Sequence, residues 1–205
     1  MLHDAAMSAN FLVFIVPPWT LPLGLRMVGA LIGTCSFAAS FDWQEGQGGW
    51  MVVMRKSDLS VVHAMEIPAM STFHFAGAYE EGVTGAGADG GATEAKLHVL
   101  VNRQIGMRAD LEQNFKDMYK STWTESAYNL LCDYTVDLAS GELEASDPVL
   151  PRVAAAGSGS GGIGLGGNGI RGGQLPNDFP VIAPGARHRA PKYIYTVGFS
   201  GSGCG

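Results

Sequence analysis

Asn10-Phe11-Leu12-Val13-Phe14-Ile15-Val16 is a dense apolar run of strand length, and Pro17-Pro18 ends it by withdrawing two backbone donors in succession. Similar runs recur on the C-terminal side. Trp50 to Met54 and Val61 to Glu66 are joined through a turn at Lys56-Ser57-Asp58. Thr72 to Tyr79 follows Pro68 and alternates, with Phe73 and Phe75 on one face and Thr72, His74 and Ala76 on the other. Lys96 to Asn102 puts Leu97, Val99 and Val101 on one face, Tyr134 to Leu138 runs into the turn Ala139-Ser140-Gly141, and Tyr193 to Val197 makes a last strand. Asp110 with Gln113 fits a capping box, and Leu111, Phe115, Met118 and Tyr119 recur at helical spacing, so one short surface helix is expected. Strands with short turns and little helix predict an all-β chain. Periodicity does not choose among sandwich, barrel and propeller.

Composition narrows the function. Of 205 residues, 46% are hydrophobic and only 16% charged, against about a quarter charged in an average soluble domain. The net charge of −6 excludes an electrostatic nucleic-acid binder, which needs a basic face. Cys35, Cys132 and Cys204 lie far apart without a CxxC pair, which excludes a disulfide scaffold or zinc ribbon and suits a reducing compartment. Of the 29 glycines, 18 fall in 82–93, in 154–174 and in the tail 199–205, compositions that cannot bury enough apolar surface to order themselves.

Trp19 to Ser40 carries a single charge, Arg26. Pro22 and the glycines at 24, 29 and 33 argue against a membrane span. Asp4 and Pro17-Pro18 do not suit a signal peptide. Leu21, Leu25, Val28, Ile32 and Cys35 fall on one helical face, the pattern of a helix lying in a bilayer surface, with plain core packing and a true span as the alternatives.

Five histidines remain: His3, His63, His74, His98 and His188, none of them in an HxxxH or HxD pair. Singly, each is more often structural or exposed than a ligand. Two contexts change this. Leu2-His3-Asp4 through Asn10, running into Phe11–Pro18, resembles the "HDF-x-hT-x-NY" stretch of carotenoid cleavage oxygenases, and Thr72-Phe73-His74-Phe75-Ala76-Gly77-Ala78-Tyr79-Glu80-Glu81 resembles the "FHF-x-NAYEE" stretch of the same family. Phe41-Asp42-Trp43, Gly49 to Met54 and Glu66-Ile67-Pro68 run parallel between them, in the family's order and spacing. Downstream, Asp133 to Gly141 resembles "R-x-x-ID-x-x-TG", and Asp178-Phe179-Pro180 with Gly185 to Arg189 and Tyr193-Ile194-Tyr195 resembles "EFP-x-INP … G-x-RHRY-x-Y". The wording from Phe41 to Glu81 is similar to the plant and algal branch that includes carlactone synthase.

The resemblance implies that residues 1–198 are part of one seven-bladed β-propeller, so a partial propeller is expected here. It implies iron(II) on the propeller axis, held by four histidines with carboxylates behind their rings. By resemblance His3 is the second ligand in chain order and His74 the third, His188 matches a non-ligand position, and His63 and His98 match nothing. Asp178 stands where the family has a glutamate behind a ring, one methylene shorter, or is a plain loop carboxylate beside a proline. Gly77 and Ala183 replace two family asparagines. Neutral imidazoles suit iron(II) and leave positions open for dioxygen. A carotenoid or apocarotenoid needs an apolar tunnel. Phe73 and Phe75 flank His74 and are candidates for that wall or for sheet packing. The 19–40 segment would dock the entrance on a bilayer.

The family's first and fourth ligands would fall outside this sequence, so an internal fragment, inactive by itself, is expected. The implied activity is dioxygenase cleavage of a carotenoid double bond, with a plastid as the implied location. Three alternatives stay open: non-oxidative retinoid isomerisation, non-catalytic apocarotenoid or lipid binding, and a membrane anchor built on 19–40.

Overall fold

The computed structural model describes residues 2–44, 46–82, 95–105, 128–148, 177–184 and 189–198. The glycine-rich inserts, the tail, the helix expected at 110–119 and His188 lie outside the described residues. Twelve strands and one α-helix are described.

The opening apolar run forms β2 (Phe11–Val16), paired with the short β1 (Ala6–Met7) through Ala6↔Val13 and Met7↔Leu12. After an excursion holding β3 (Trp19–Thr20), α1 (Leu25–Leu31) and β4 (Asp42–Trp43), the chain returns as β5 (Gly49–Arg55) and β6 (Val61–Ile67). These complete an antiparallel sheet in the order β1-β2-β5-β6. A second antiparallel sheet is a meander of β7 (Phe75–Glu81), β8 (Lys96–Ile105), β9 (Tyr128–Asp137) and β10 (Leu143–Pro148). A hairpin of β11 (Asn177–Ile182) and β12 (Ile194–Gly198) packs with β11 against the second sheet.

Alternating β-branched residues build the core. Val13, Ile15, Met51, Val53 and Ile67 of the first sheet join Leu97, Val99, Val101, Cys132, Tyr134 and Val136 of the second in one buried cluster. Each large aliphatic side chain buried this way contributes about 1.5–3 kcal/mol. Met70, in the link between the sheets, accepts the Tyr134 hydroxyl proton at Sδ (3.1 Å), and burial pushes that phenol's pKa up. The Asp137 carboxylate closes the β9–β10 turn by accepting from the N–H groups of Ala139 and Ser140 (2.8 and 2.7 Å). Those bonds hold its carboxyl below the usual range.

Two expectations need correction. The strand read as Thr72 to Tyr79 begins at Phe75, and its alternation is broken by a register shift between Phe75 and Gly77. Gly77 takes φ +147°, a conformation favouring glycine, and a side chain there would meet Ile182 Cδ1 at 3.1 Å. Phe75 and Ala78 therefore face the core together. The 19–40 segment is not one long helix either. Pro22 and Gly24 delay α1, and Gly33 at φ +77° ends it in a Schellman turn, with Gly33 N–H on Ala30 O and Thr34 N–H on Gly29 O. Leu21 and Cys35 lie outside this seven-residue helix. Among the described residues no helix is long and apolar enough to cross a membrane.

Candidate functional site

The inner edges of the two sheets meet, β1 against β7, and each edge strand has a histidine just ahead of it. His3 precedes β1 and His74 immediately precedes β7. Their ring centroids are 5.3 Å apart at 87°.

Backbone and side-chain bonds set this meeting. The carbonyl of Phe73 can only accept, so His3 Nδ1–H donates to it (2.9 Å) and Nε2 carries the lone pair. Asp4 Oδ1 accepts from Ala5 N–H (2.8 Å), while its Oδ2 accepts from Phe75 N–H (3.0 Å). His74 O accepts from Asn102 N–H (3.0 Å), anchoring the second histidine to β8. At the other end of β7, Glu80 accepts from the Ser8 hydroxyl, Asn10 N–H (2.8 Å) and the Asn10 side-chain amide (2.7 Å). The two edges are thus joined by one carboxylate near the rings and another along the strand.

Two imidazoles sharing one cation at metal–nitrogen distances of about 2.1 Å place their centroids roughly 4.5–5.5 Å apart, a range that includes the 5.3 Å between these rings. Among the described residues, no group of three or more His, Cys, Asp or Glu side chains is placed to hold a metal ion.

Aromatic rings surround the pair. Phe73 meets His3 edge-on at 5.2 Å, and Phe179 lies 4.7 Å from the His74 ring. A narrow recess opens beside His3, walled by Pro17, Trp19, Phe41, Ser71, Thr72 and Phe73. Trp19 packs edge-on to Trp43 (5.0 Å), and its Nε1–H donates to Ser71 Oγ (3.4 Å). Phe73 is part of the lining of this recess.

Phe179, Trp19 and Phe41 were not legible as site residues. Phe179 has φ +52°, rare for a bulky side chain, at a register shift between Asp178 and Val181. Its only sequence signal was its place beside Asp178 and Pro180. Asp178 is placed by its backbone alone, opposite Val197 in β11.

The remaining described histidines are built into the sheets. His63 Nε2–H donates to Leu138 O (2.8 Å). His98 directs Nδ1 at Asp133 Oδ2 (3.0 Å) and Nε2 at Glu81 Oε2 (3.1 Å) and stacks on Tyr79 (4.5 Å, 2°). Burial, then the charges of Asp133 and Glu81, push the Tyr79 phenol up to about 12.

The apolar excursion is widely exposed. Leu23 and Leu25 are 91% and 90% accessible, and Leu21, Val28, Leu31, Ile32 and Phe37 are exposed as well.

The family model described as retinal pigment epithelial membrane protein, RPE65, matches residues 1–204. Carotenoid cleavage dioxygenase 8, chloroplastic, of Arabidopsis thaliana is 35% identical over 86 residues, covering 42% of this chain and 14% of that protein. A point mutant of Synechocystis apocarotenoid oxygenase superposes with a TM-score of 0.65 at 16% identity, covering 99% of this chain and 34% of the other. The cobalt-substituted form of that oxygenase gives 0.65 at 15% identity with the same coverage. The chain thus spans about a third of these solved chains and a smaller part of the curated relative. The two four-stranded sheets correspond to part of the propeller fold of these proteins. With a family match running over nearly its whole length, the chain belongs to the RPE65 family of carotenoid oxygenases.

Proposed function

We propose that this chain contributes two metal ligands and an entry recess to a non-haem iron(II) dioxygenase that cleaves a carotenoid or apocarotenoid double bond to aldehyde or ketone products. One observation carries the reading: His3 and His74 stand side by side, and Nε2 of His3 is left with its lone pair by the bond from Nδ1–H to Phe73 O. Neutral imidazoles suit iron(II), and the relatives, an apocarotenoid oxygenase with a cobalt-substituted form and a carotenoid cleavage dioxygenase, support the same chemistry. Iron(II) bound there would supply dioxygen activation.

The chain's own residues do the rest. Phe73 O sets the tautomer and aim of His3. Trp19, Phe41 and Phe73 line an apolar recess beside His3 that would border the path of a polyene. Asp178 serves as the carboxylate behind a ligand ring. The family's seven-bladed propeller would supply the other ligands, and two imidazoles alone hold iron(II) weakly, so the 205-residue chain by itself is inactive. The chloroplastic relative supports a plastid location.

Iron content and apocarotenoid release, measured for the isolated chain and for a longer protein carrying it, test this. His3→Ala or His74→Ala should remove nearly all iron and product from the longer protein. Stoichiometric iron with turnover in the isolated chain refutes the partial-centre reading. Products free of isotopic oxygen from labelled dioxygen would point to non-oxidative isomerisation, and polyene binding without metal would point to a binding protein.

The exposed side chains of the excursion fit docking on a bilayer surface, where a polyene could enter without crossing water. Flotation with lipid vesicles checks this. Leu25→Glu with Leu31→Glu should abolish co-flotation, and unchanged flotation removes the docking proposal.

A further inference from the structure

Asp4 bonds through its side chain to both of the segments bearing the proposed ligands. It follows His3 directly, and Phe75, whose N–H it holds, follows His74 directly. Its carboxylate is split between the two: Oδ1 caps Ala5 N–H at 2.8 Å on the β1 side, and Oδ2 takes Phe75 N–H at 3.0 Å on the β7 side. The Phe75 N–H borders the start of β7, where the register shifts before Gly77; backbone bonds hold this end on the β8 side, and Asp4 holds it on the β1 side. Carboxylate acceptors of backbone N–H groups are charge-assisted and roughly twice as strong as neutral ones. We infer that Asp4 is a positioning residue whose carboxylate fixes the spacing and relative aim of the His3 and His74 rings. This rests on the metal reading above and extends it to a residue that touches no metal.

Glu80 provides the internal comparison. It joins the same two strands, through Ser8 and Asn10, but stands six residues beyond His74, roughly 20 Å along an extended strand. If holding the edges together were all that mattered, the two carboxylates would be equivalent. If Asp4 aims the rings, only its loss changes metal binding.

The protein carrying this chain is titrated with cobalt(II) alone, reading affinity by calorimetry and ligand geometry from the visible absorption bands, with thermal melting alongside. Asp4→Ala should weaken cobalt binding about 10–100-fold, the usual effect of losing an outer partner, and shift the bands. Asp4→Asn keeps one acceptor oxygen and should fall between wild type and Asp4→Ala, which also covers an alanine variant that fails to fold. Glu80→Gln should lower the melting temperature while affinity and bands stay as in wild type. Folded Asp4→Asn and Asp4→Ala with wild-type affinity and bands overturn the inference while leaving the metal reading intact. Cobalt affinity unaffected by His3→Ala or His74→Ala overturns both.

Discussion

At the inner rim of the two sheets, His3 and His74 come just before their strands, and their rings meet edge-on where β1 and β7 approach. Out along the sheets, His63 sits mid-strand in β6 and His98 mid-strand in β8. There the rings serve as connectors: His63 reaches the β9–β10 turn, and His98 bridges β7 and β9 through Glu81 and Asp133. The same side chain is thus used in two ways, set by where the strand begins. A histidine ahead of a strand projects beyond the ladder, where it can meet a residue from the next sheet. A histidine within a strand projects from a sheet face and finds acceptors on neighbouring strands and turns.

The sharpest way to break this contrast is at the outer rim. Gly141 has φ +76°, and a Cβ there would overlap the His63 imidazole. Gly141→Ala should therefore cost about 1–3 kcal/mol from the backbone conformation alone. Displacing His63 from Leu138 O adds about 1 kcal/mol. Denaturant unfolding measures the loss, and adding His63→Ala should recover part of it by clearing the overlap. Metal binding should not change in either variant. A loss of cobalt affinity comparable with that of His3→Ala would erase the division between rim and flank.

This division was only partly legible beforehand. β2, β5 and β6 followed from short apolar runs bounded by turn residues, and β8 from alternation, within a residue or so at most ends, because burial leaves those patterns directly in the sequence. The start of β7 did not, since a register shift puts Phe75 and Ala78 on the core side together and no period of two announces it. The excursion was read as one helical face because its apolar spacing fits. Gly24 and Gly33 override that spacing through backbone freedom and shorten the helix. His3 and His74 came from motif resemblance rather than periodicity, and their approach depends on a contact some seventy residues apart in sequence. Asp4 and Phe179 stayed hidden for the same reason: their roles consist of bonds and ring contacts to distant segments.

A smaller effect tests the flank under alkaline conditions. Tyr79 stacks on His98, and burial with the nearby charges of Asp133 and Glu81 raises its phenol from the ordinary 10.0 to about 12. A folded-state pKa above the unfolded value means that the neutral phenol is favoured by folding. Its contribution is complete below pH 10 and is lost as pH rises towards 12. Stability should fall across that window, and Tyr79→Phe should flatten the fall. Spectrophotometric titration of the tyrosinate band checks it. A phenol at this position that ionises near 10 removes the argument.

The smallest expected effect lies at the rim itself. Phe179 holds φ +52° and is more than half exposed, so its side chain gains little from burial while its backbone is strained. A left-handed conformation costs an ordinary residue roughly 1–2 kcal/mol, and asparagine tolerates it better. Phe179→Asn should therefore change folding stability by less than about 1 kcal/mol, because relief of strain offsets the lost ring contacts. The His74 ring would nevertheless lose the aromatic neighbour 4.7 Å away, so its proton resonances should move by the missing ring current. Marked destabilisation would mean that Phe179 is held for packing like the flank residues. A nearly unchanged melt with a shifted His74 signal is the pattern of a residue kept at the rim for what it does to the histidine beside it.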